Sequence, residues 1–278
     1  MLDLILFQRA FLACLVIGFT NGYTSGFVLL NRSPLKLSAL SHSLMPGIAI
    51  ATIVVGLSVI SAFVGAVLMA ILIGILSLLL SRNSKLSQDT NLAILYTGSF
   101  ALGIVILNRM GHSQELEHWL FGNILGLGDM DLIMSCVIGV IAIAILTLFQ
   151  RPILITLFEP NVAITLGVPV RIVHYTSFAL LILVLVTTLQ AVGCILAIGL
   201  IVTPGATVRL FTNNPRDLFL YSGILGATGS CTGLAVGYYL DLPAESSIVI
   251  CLTLLFLVAF GIRAGLTHYH KSSIKLSS

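Results

Sequence analysis

Residues 36–51, KLSALSHSLMPGIAIA, set an imidazole inside a stretch that is otherwise built for hydrocarbon. His42 lies between Ser41 and Ser43, with Pro46 and Gly47 following, and long apolar runs stop before Asn31 and resume after Gly47. An ionisable side chain at bilayer depth is costly to place, so by default it marks a route for polar cargo. The competing reading is a histidine at headgroup level, or one satisfied by a backbone carbonyl. Spacing alone leaves both open.

What surrounds this segment decides the fold class. Of 278 residues, 58% are hydrophobic and only 8% are charged, whereas ordinary soluble domains carry roughly 25% charged residues. A water-facing surface cannot be covered with so little charge, which predicts an all-α polytopic membrane protein. A crossing needs about 20 apolar residues. Residues 11–30 meet that requirement, and 37–80 are long enough to cross twice, with Gly56 and Ser58 the best turn between them. Further spans fall at 92–107, 132–149, 218–240 and 248–262. The run 172–211 is too long for one crossing, and Gly193, Gly199, Pro204 and Gly205 divide it. The count is eight or nine segments in one transmembrane domain over residues 1–278. The first apolar run has Asp3 ahead of Arg9 and no cleavage site, so it is expected to be a retained span rather than a signal peptide. Cys14, Cys136, Cys194, Cys231 and Cys251 are scattered without a CxxC pair and read as small packing residues.

Basic residues orient the bundle. Arg32, Lys36, Arg82, Lys85, Arg151, Arg171, Arg209, Arg216 and Arg263 can share one side, leaving Arg109, Glu115, Glu117, Asp241 and Glu245 on the other. Nine segments place the N-terminus outside and the C-terminus inside; eight place both inside.

No Asp, Glu, Lys or Arg falls in the middle of any predicted span. Carriers driven by an ion gradient usually need such groups, so that class is disfavoured. No GxxxxGK[ST] loop is present to cradle ATP phosphates. Energy for active transport must then enter from another polypeptide. Residues 157–169 on the basic side suit that entry. Glu159-Pro160-Asn161 opens a short helix, Leu166-Gly167 closes it, and Pro169 forbids continuation. The same helix could instead rest on the lipid surface, which periodicity alone favours. The small residues near Gly193, Pro204 and Gly205 could break a helix beside the route or let helices approach closely.

Several pieces together resemble one family, the permease subunits of bacterial ABC importers for manganese, zinc and iron. They are Gln8-Arg9-Ala10, Ser41-His42-Ser43-Leu44-Met45-Pro46-Gly47, Leu120-Phe121-Gly122-Asn123-Ile124-Leu125 and the run from Glu159 to Pro169. Ala191-Val192-Gly193, Val202-Thr203-Pro204-Gly205-Ala206-Thr207 and Tyr238-Tyr239-Leu240-Asp241-Leu242-Pro243 complete the set, in family order over nearly the whole chain. The resemblance implies a multi-pass protein of the bacterial cytoplasmic membrane that carries a divalent metal ion and holds no permanent cofactor. It implies a transport subunit that is not itself an enzyme. Its partners would be an ABC ATP-binding subunit, an extracytoplasmic metal-binding protein, and a second permease, identical or paralogous, with the path at their interface. Nucleic acid has no part. In such permeases the helix matching Glu159–Gly167 couples to the ATPase.

One departure stands out. The family usually reads Gly-Asp-x-x-Ser-His before its Pro-Gly, and the Asp and His are its metal-contacting pair. Leu37 and Ser38 stand here in place of Gly-Asp, with His42 retained. Ser38 keeps the i, i+4 position but offers only a neutral oxygen to a divalent cation. A paralogous permease could supply the carboxylate, the ion could pass with transient contact only, or the cargo could be a metal chelate. An ATP-independent carrier is the alternative from another class.

Outside these motifs, Glu115 and His118 have a ligand-capable spacing, although the surrounding loop reads better as a docking surface for the external binding protein. His268 and His270 sit in a basic tail, His174 and Tyr175 read as interfacial anchors, and Asp241 with Pro243 is expected to order an outer turn.

Overall fold

The computed structural model describes residues 2–31, 33–56, 58–83, 86–109 and 122–276, which form eleven α-helices and one 3-10 turn. Helix α1 is Leu2–Leu30, α2 Pro34–Ser43, α3 Met45–Val55, α4 Val59–Asn83 and α5 Gln88–Arg109. The 3-10 turn Ile124–Gly126 precedes α6, Asp129–Leu148. Then follow α7 Gln150–Phe158, α8 Pro160–Thr165, α9 Val170–Arg209, α10 Pro215–Tyr239 and α11 Ala244–Leu276. No strand occurs among the described residues. Glu115 and His118 lie outside them, as do the side chains of His268 and His270.

Small residues close the bundle. Gly18, Gly22 and Gly26 fall four apart on one face of α1. A Cβ at Gly22 would sit 2.2 Å from the Ser222 carbonyl oxygen, and one at Gly226 would sit 2.3 Å from the Gly18 carbonyl oxygen. In lipid there is little hydrophobic drive between helices, so close backbone approach of this kind is what holds α1 against α10. Phe7 packs on Tyr238 at one end of the pair and Tyr23 on Phe219 toward the other, so the two helices run antiparallel. Gly47 and Gly65 bring α3 and α4 together in the same way, each Cβ position 2.3 Å from the other's carbonyl oxygen. Between those two helices Gly56, at φ 97, makes the turn that its position in the sequence suggested.

Among the described residues, eight helical units are long and apolar enough to cross a membrane, with α2 and α3 counted as one bent unit. The longest, α9, has 40 residues, which at 1.5 Å each would reach about 60 Å, roughly twice the hydrocarbon thickness. It is broken at Gly193, whose φ of 78° and ψ of 172° are not helical. Val173 packs against the cluster that holds Tyr23, Phe27 and Ile153, toward the C-terminal end of α1. Val192 and Leu196 pack with Ala10, Ala13 and Ile17, toward its N-terminal end. The second half then returns: Gly205 lies against Ser25, and Leu210 accepts a hydrogen bond from Arg263 in the second half of α11. The two halves run in opposite directions, so nine helical legs traverse the bundle among the described residues.

This division corrects one expectation. Only Gly193 breaks the helix; Pro204 and Gly205 stay within the helical second half. Thr207 Oγ1 donates to the Thr203 carbonyl beside the proline, and Gly205 serves close approach, since its Cβ would sit 2.8 Å from the Ser25 carbonyl oxygen. Nine legs put the α1 N-terminus on the face with Asp129 and Glu245, where Arg9 pairs with Asp129 at 3.1 Å. Lys36, Arg151, Arg171, Arg209, Arg216 and Arg263 belong to the opposite, basic face, which the positive-inside rule makes cytoplasmic.

Candidate functional site

Helix α2 starts on Pro34 and carries no acidic residue in its first turn. Leu35, Ser38, Ala39 and His42 recur at helical spacing on one face. Opposite them, α5 presents Leu92, Ala93, Tyr96 and Phe100, and the two helices enclose a cavity of about 420 Å³. Ser38 and His42 both line it, with Lys36 at the inner end. His42 is half-buried. Its ring meets Phe100 edge-on at 5.4 Å and lies 6.3 Å from Tyr96. Lys36 and Leu92 also line a second cavity of about 340 Å³ that continues past Asn31, His174 and Tyr175. His174 and Tyr175 thus stand at the mouth of a cavity on the basic side.

Hydroxyls tie this region together. Ser41 Oγ donates to the Ser38 carbonyl at 2.7 Å, Ser43 Oγ to the Leu40 carbonyl at 2.7 Å, and Ser99 Oγ to the Ser43 carbonyl at 2.9 Å, which pins α5 to α2. Behind His42 lies Cys194, the first residue after the break in α9 and fully buried. Its Sγ is 3.5 Å from His42 Nδ1 and 3.5 Å from Ser41 Oγ. The sequence gives no hint of this contact, which joins residues 152 apart through a turn that only the fold provides. Among the described residues no three His, Cys, Asp or Glu side chains converge as a metal cage.

Two outer features support the break. A Cβ at Gly122 would sit 2.2 Å from the Val192 carbonyl oxygen, so the segment entering the 3-10 turn lies directly on the bend. Glu245 accepts from the Ile124 N–H and fastens that turn to α11. Asp241, at φ 50°, holds the outer turn between α10 and α11, where the Leu242 N–H donates to the Gly237 carbonyl.

On the basic face, α8 has the boundaries its punctuation predicts. Pro160 occupies its first turn and Glu159 the N-cap. Gly167, at φ 75°, ends it, with the Val168 N–H on the Ala163 carbonyl and the Gly167 N–H on the Ile164 carbonyl, the paired bonds of a left-handed helix stop. From Glu159 to Gly167 every residue except Ala163 is exposed. Ala163 is the peg that seats the helix, and Val162, Ile164 and Leu166 project from it.

Nine membrane-crossing legs, a histidine-lined cavity within them and a projecting helix on the basic face define the membrane-spanning part of a transporter. The chain belongs to the ABC 3 transport family, which matches residues 3–263. The manganese import system permease protein ScaB of Streptococcus parasanguinis is 36% identical over 253 residues, covering 91% of this chain and 89% of that one. A membrane protein named for iron transport in Haemophilus influenzae is 34% identical over 267 residues, covering 94% and 93%. The structure of PsaBC from Streptococcus pneumoniae in complex with Fab aligns at a TM-score of 0.83 and 34% identity, over 91% of this chain and 90% of that chain. The chain is accordingly an ABC-transporter permease, a multi-pass protein of the bacterial inner membrane.

Proposed function

We propose that this permease imports a divalent first-row metal ion, with Mn²⁺ the first candidate and Fe²⁺ the second, driven by ATP hydrolysis on a separate subunit. Relatives named for manganese and for iron support that choice. The single observation that carries the path is the cavity between α2 and α5, because His42 and Ser38 bring an imidazole and a hydroxyl together on its wall. A neutral imidazole suits these metals, and carboxylate, carbonyl or water oxygens suit Mn²⁺. Ser38 offers only a neutral oxygen beside His42, so the ion is held weakly and leaves readily, and selectivity falls to the extracytoplasmic metal-binding protein. A second permease, identical or paralogous, completes the translocation unit.

We assign coupling to α8. Glu159, Pro160 and Asn161 open it, and Leu166 with Gly167 closes it, so both ends are fixed. Its exposed apolar residues fit a groove on an ATPase better than a lipid surface, since exposure runs around the helix and not along one stripe.

The test is reconstitution of the permease in liposomes with and without its ATP-binding subunit, supplying the metal-binding protein and Mn²⁺ outside. Uptake that requires both ATP and the ATPase is expected. Accumulation by the permease alone would overturn the proposal.

A further inference from the structure

The contacts behind His42 form a directed chain, and its direction follows from counting hydrogens. Ser41 Oγ has one hydrogen and gives it to the Ser38 carbonyl at 2.7 Å. Toward Cys194 it can only accept, so the Cys194 thiol supplies the hydrogen of the 3.5 Å S···O contact. With that hydrogen spent, the sulfur can only accept from its other neighbour, His42 Nδ1, 3.5 Å away. In this arrangement His42 Nδ1 carries the ring proton; the opposite tautomer is the one in which the thiol donates to Nδ1 instead. A neutral imidazole has one proton, so Nε2 is left bare, with its lone pair available.

We propose that Cys194 is a positioning residue that fixes His42 as the Nδ1–H tautomer and thereby makes Nε2 the metal-binding atom of the path. Ligating histidines commonly have their other N–H held by an acceptor, which sets both tautomer and ring orientation. Here the acceptor is a sulfur delivered by the backbone bend at Gly193, whose φ of 78° directs Cys194 back toward α2. The edge-on contact with Phe100 restrains the same ring from the cavity side. Cys194 is fully buried and does not line the cavity, so it acts through the imidazole and does not meet the ion. The inference rests on reading His42 as a ligand of the path.

The experiment uses the full complex in lipid with ¹⁵N-labelled histidine, His42 being assigned by the signal missing from His42→Gln. At a pH where His42 is neutral, nitrogen NMR should show a protonated Nδ1 and a bare Nε2. In Cys194→Ala the bare-Nε2 signal should fall and the Nε2–H form appear. In Cys194→Ser, which keeps one donor and one acceptor, the wild-type spectrum should return. In transport, Cys194→Ala should lower the maximal rate of Mn²⁺ uptake by roughly 10-fold, with Cys194→Ser restoring most of it. A wild-type His42 protonated on Nε2, or an unchanged uptake rate in Cys194→Ala, overturns the proposal. If Cys194→Ala does not assemble, the wild-type spectrum alone decides. The spectrum reads the tautomer whether or not metal moves, so an inactive wild-type complex would sink the transport reading alone.

Discussion

His42 illustrates how much one residue can owe to its neighbours. As an isolated letter in an apolar run it had two readings, headgroup anchor or path ligand. In the fold it lines a cavity together with Ser38 and is backed by Cys194, which favours the second. Replacing it with alanine should lower Mn²⁺ uptake by at least about tenfold, the lower end of what disturbing a metal ligand's shell does. The assembled complex should be recovered at wild-type yield; full uptake by His42→Ala would remove it from the mechanism. A second polar residue has a structural part that its sequence position conceals. Asn21, buried in α1, donates to the Ile17 carbonyl at 2.9 Å and to Thr188 Oγ1 at 2.8 Å, linking α1 to the first half of α9. Such links between membrane helices are worth about 0.6 kcal/mol on average. Asn21→Leu should therefore lower thermal stability in detergent only slightly, and a collapse of the fold would contradict that weighting.

At the level of elements, α9 and α8 are both governed by a glycine at positive φ. For an L-residue such a conformation costs roughly 1–3 kcal/mol. Gly193→Ala would strain the bend and shift Cys194 from His42. Reduced uptake with an altered His42 tautomer is the expected outcome, read by the same transport and NMR measurements. Helix α8 can be tested without disturbing the bundle, because Leu166 is exposed. Leu166→Asp should leave the permease stable and inserted but weaken its hold on the ATPase, so that co-purification falls and Mn²⁺ uptake is lost. Retained uptake in that variant would reassign the helix to the lipid surface. This element was legible beforehand, since Pro160, Gly167 and Pro169 are local signals that act on their own backbone. The break in α9 was only half legible: Gly193, Pro204 and Gly205 are all capable of it, and choosing among them needs to know what lies opposite. Ser25 across from Gly205 makes that glycine a contact; the Gly122 segment over Val192 makes Gly193 a bend.

For the whole molecule, nine legs fix opposite sides for the two ends. An epitope at the N-terminus should be reached in intact spheroplasts and one at the C-terminus only after permeabilisation. Both tags on the same side would refute the antiparallel halves of α9. The close pair α1 and α10 holds the rest of the bundle. Gly22→Leu, which drives a side chain into the Ser222 backbone, should cost the complex its assembly, seen as lost yield or an aggregated elution profile.

Composition and local order were enough to determine a lipid-embedded helical bundle, its basic cytoplasmic face and the boundaries of α8. Hydrocarbon excludes charge, and Pro and Gly punctuate the backbone wherever they fall, so neither needs a partner to be read. The ninth leg, the α1–α10 seam and the thiol behind His42 were decided only by tertiary structure. Each depends on residues brought together from distant parts of the chain, 152 positions apart for Cys194 and His42, and no periodicity along a sequence encodes which distant atom will fill a given gap.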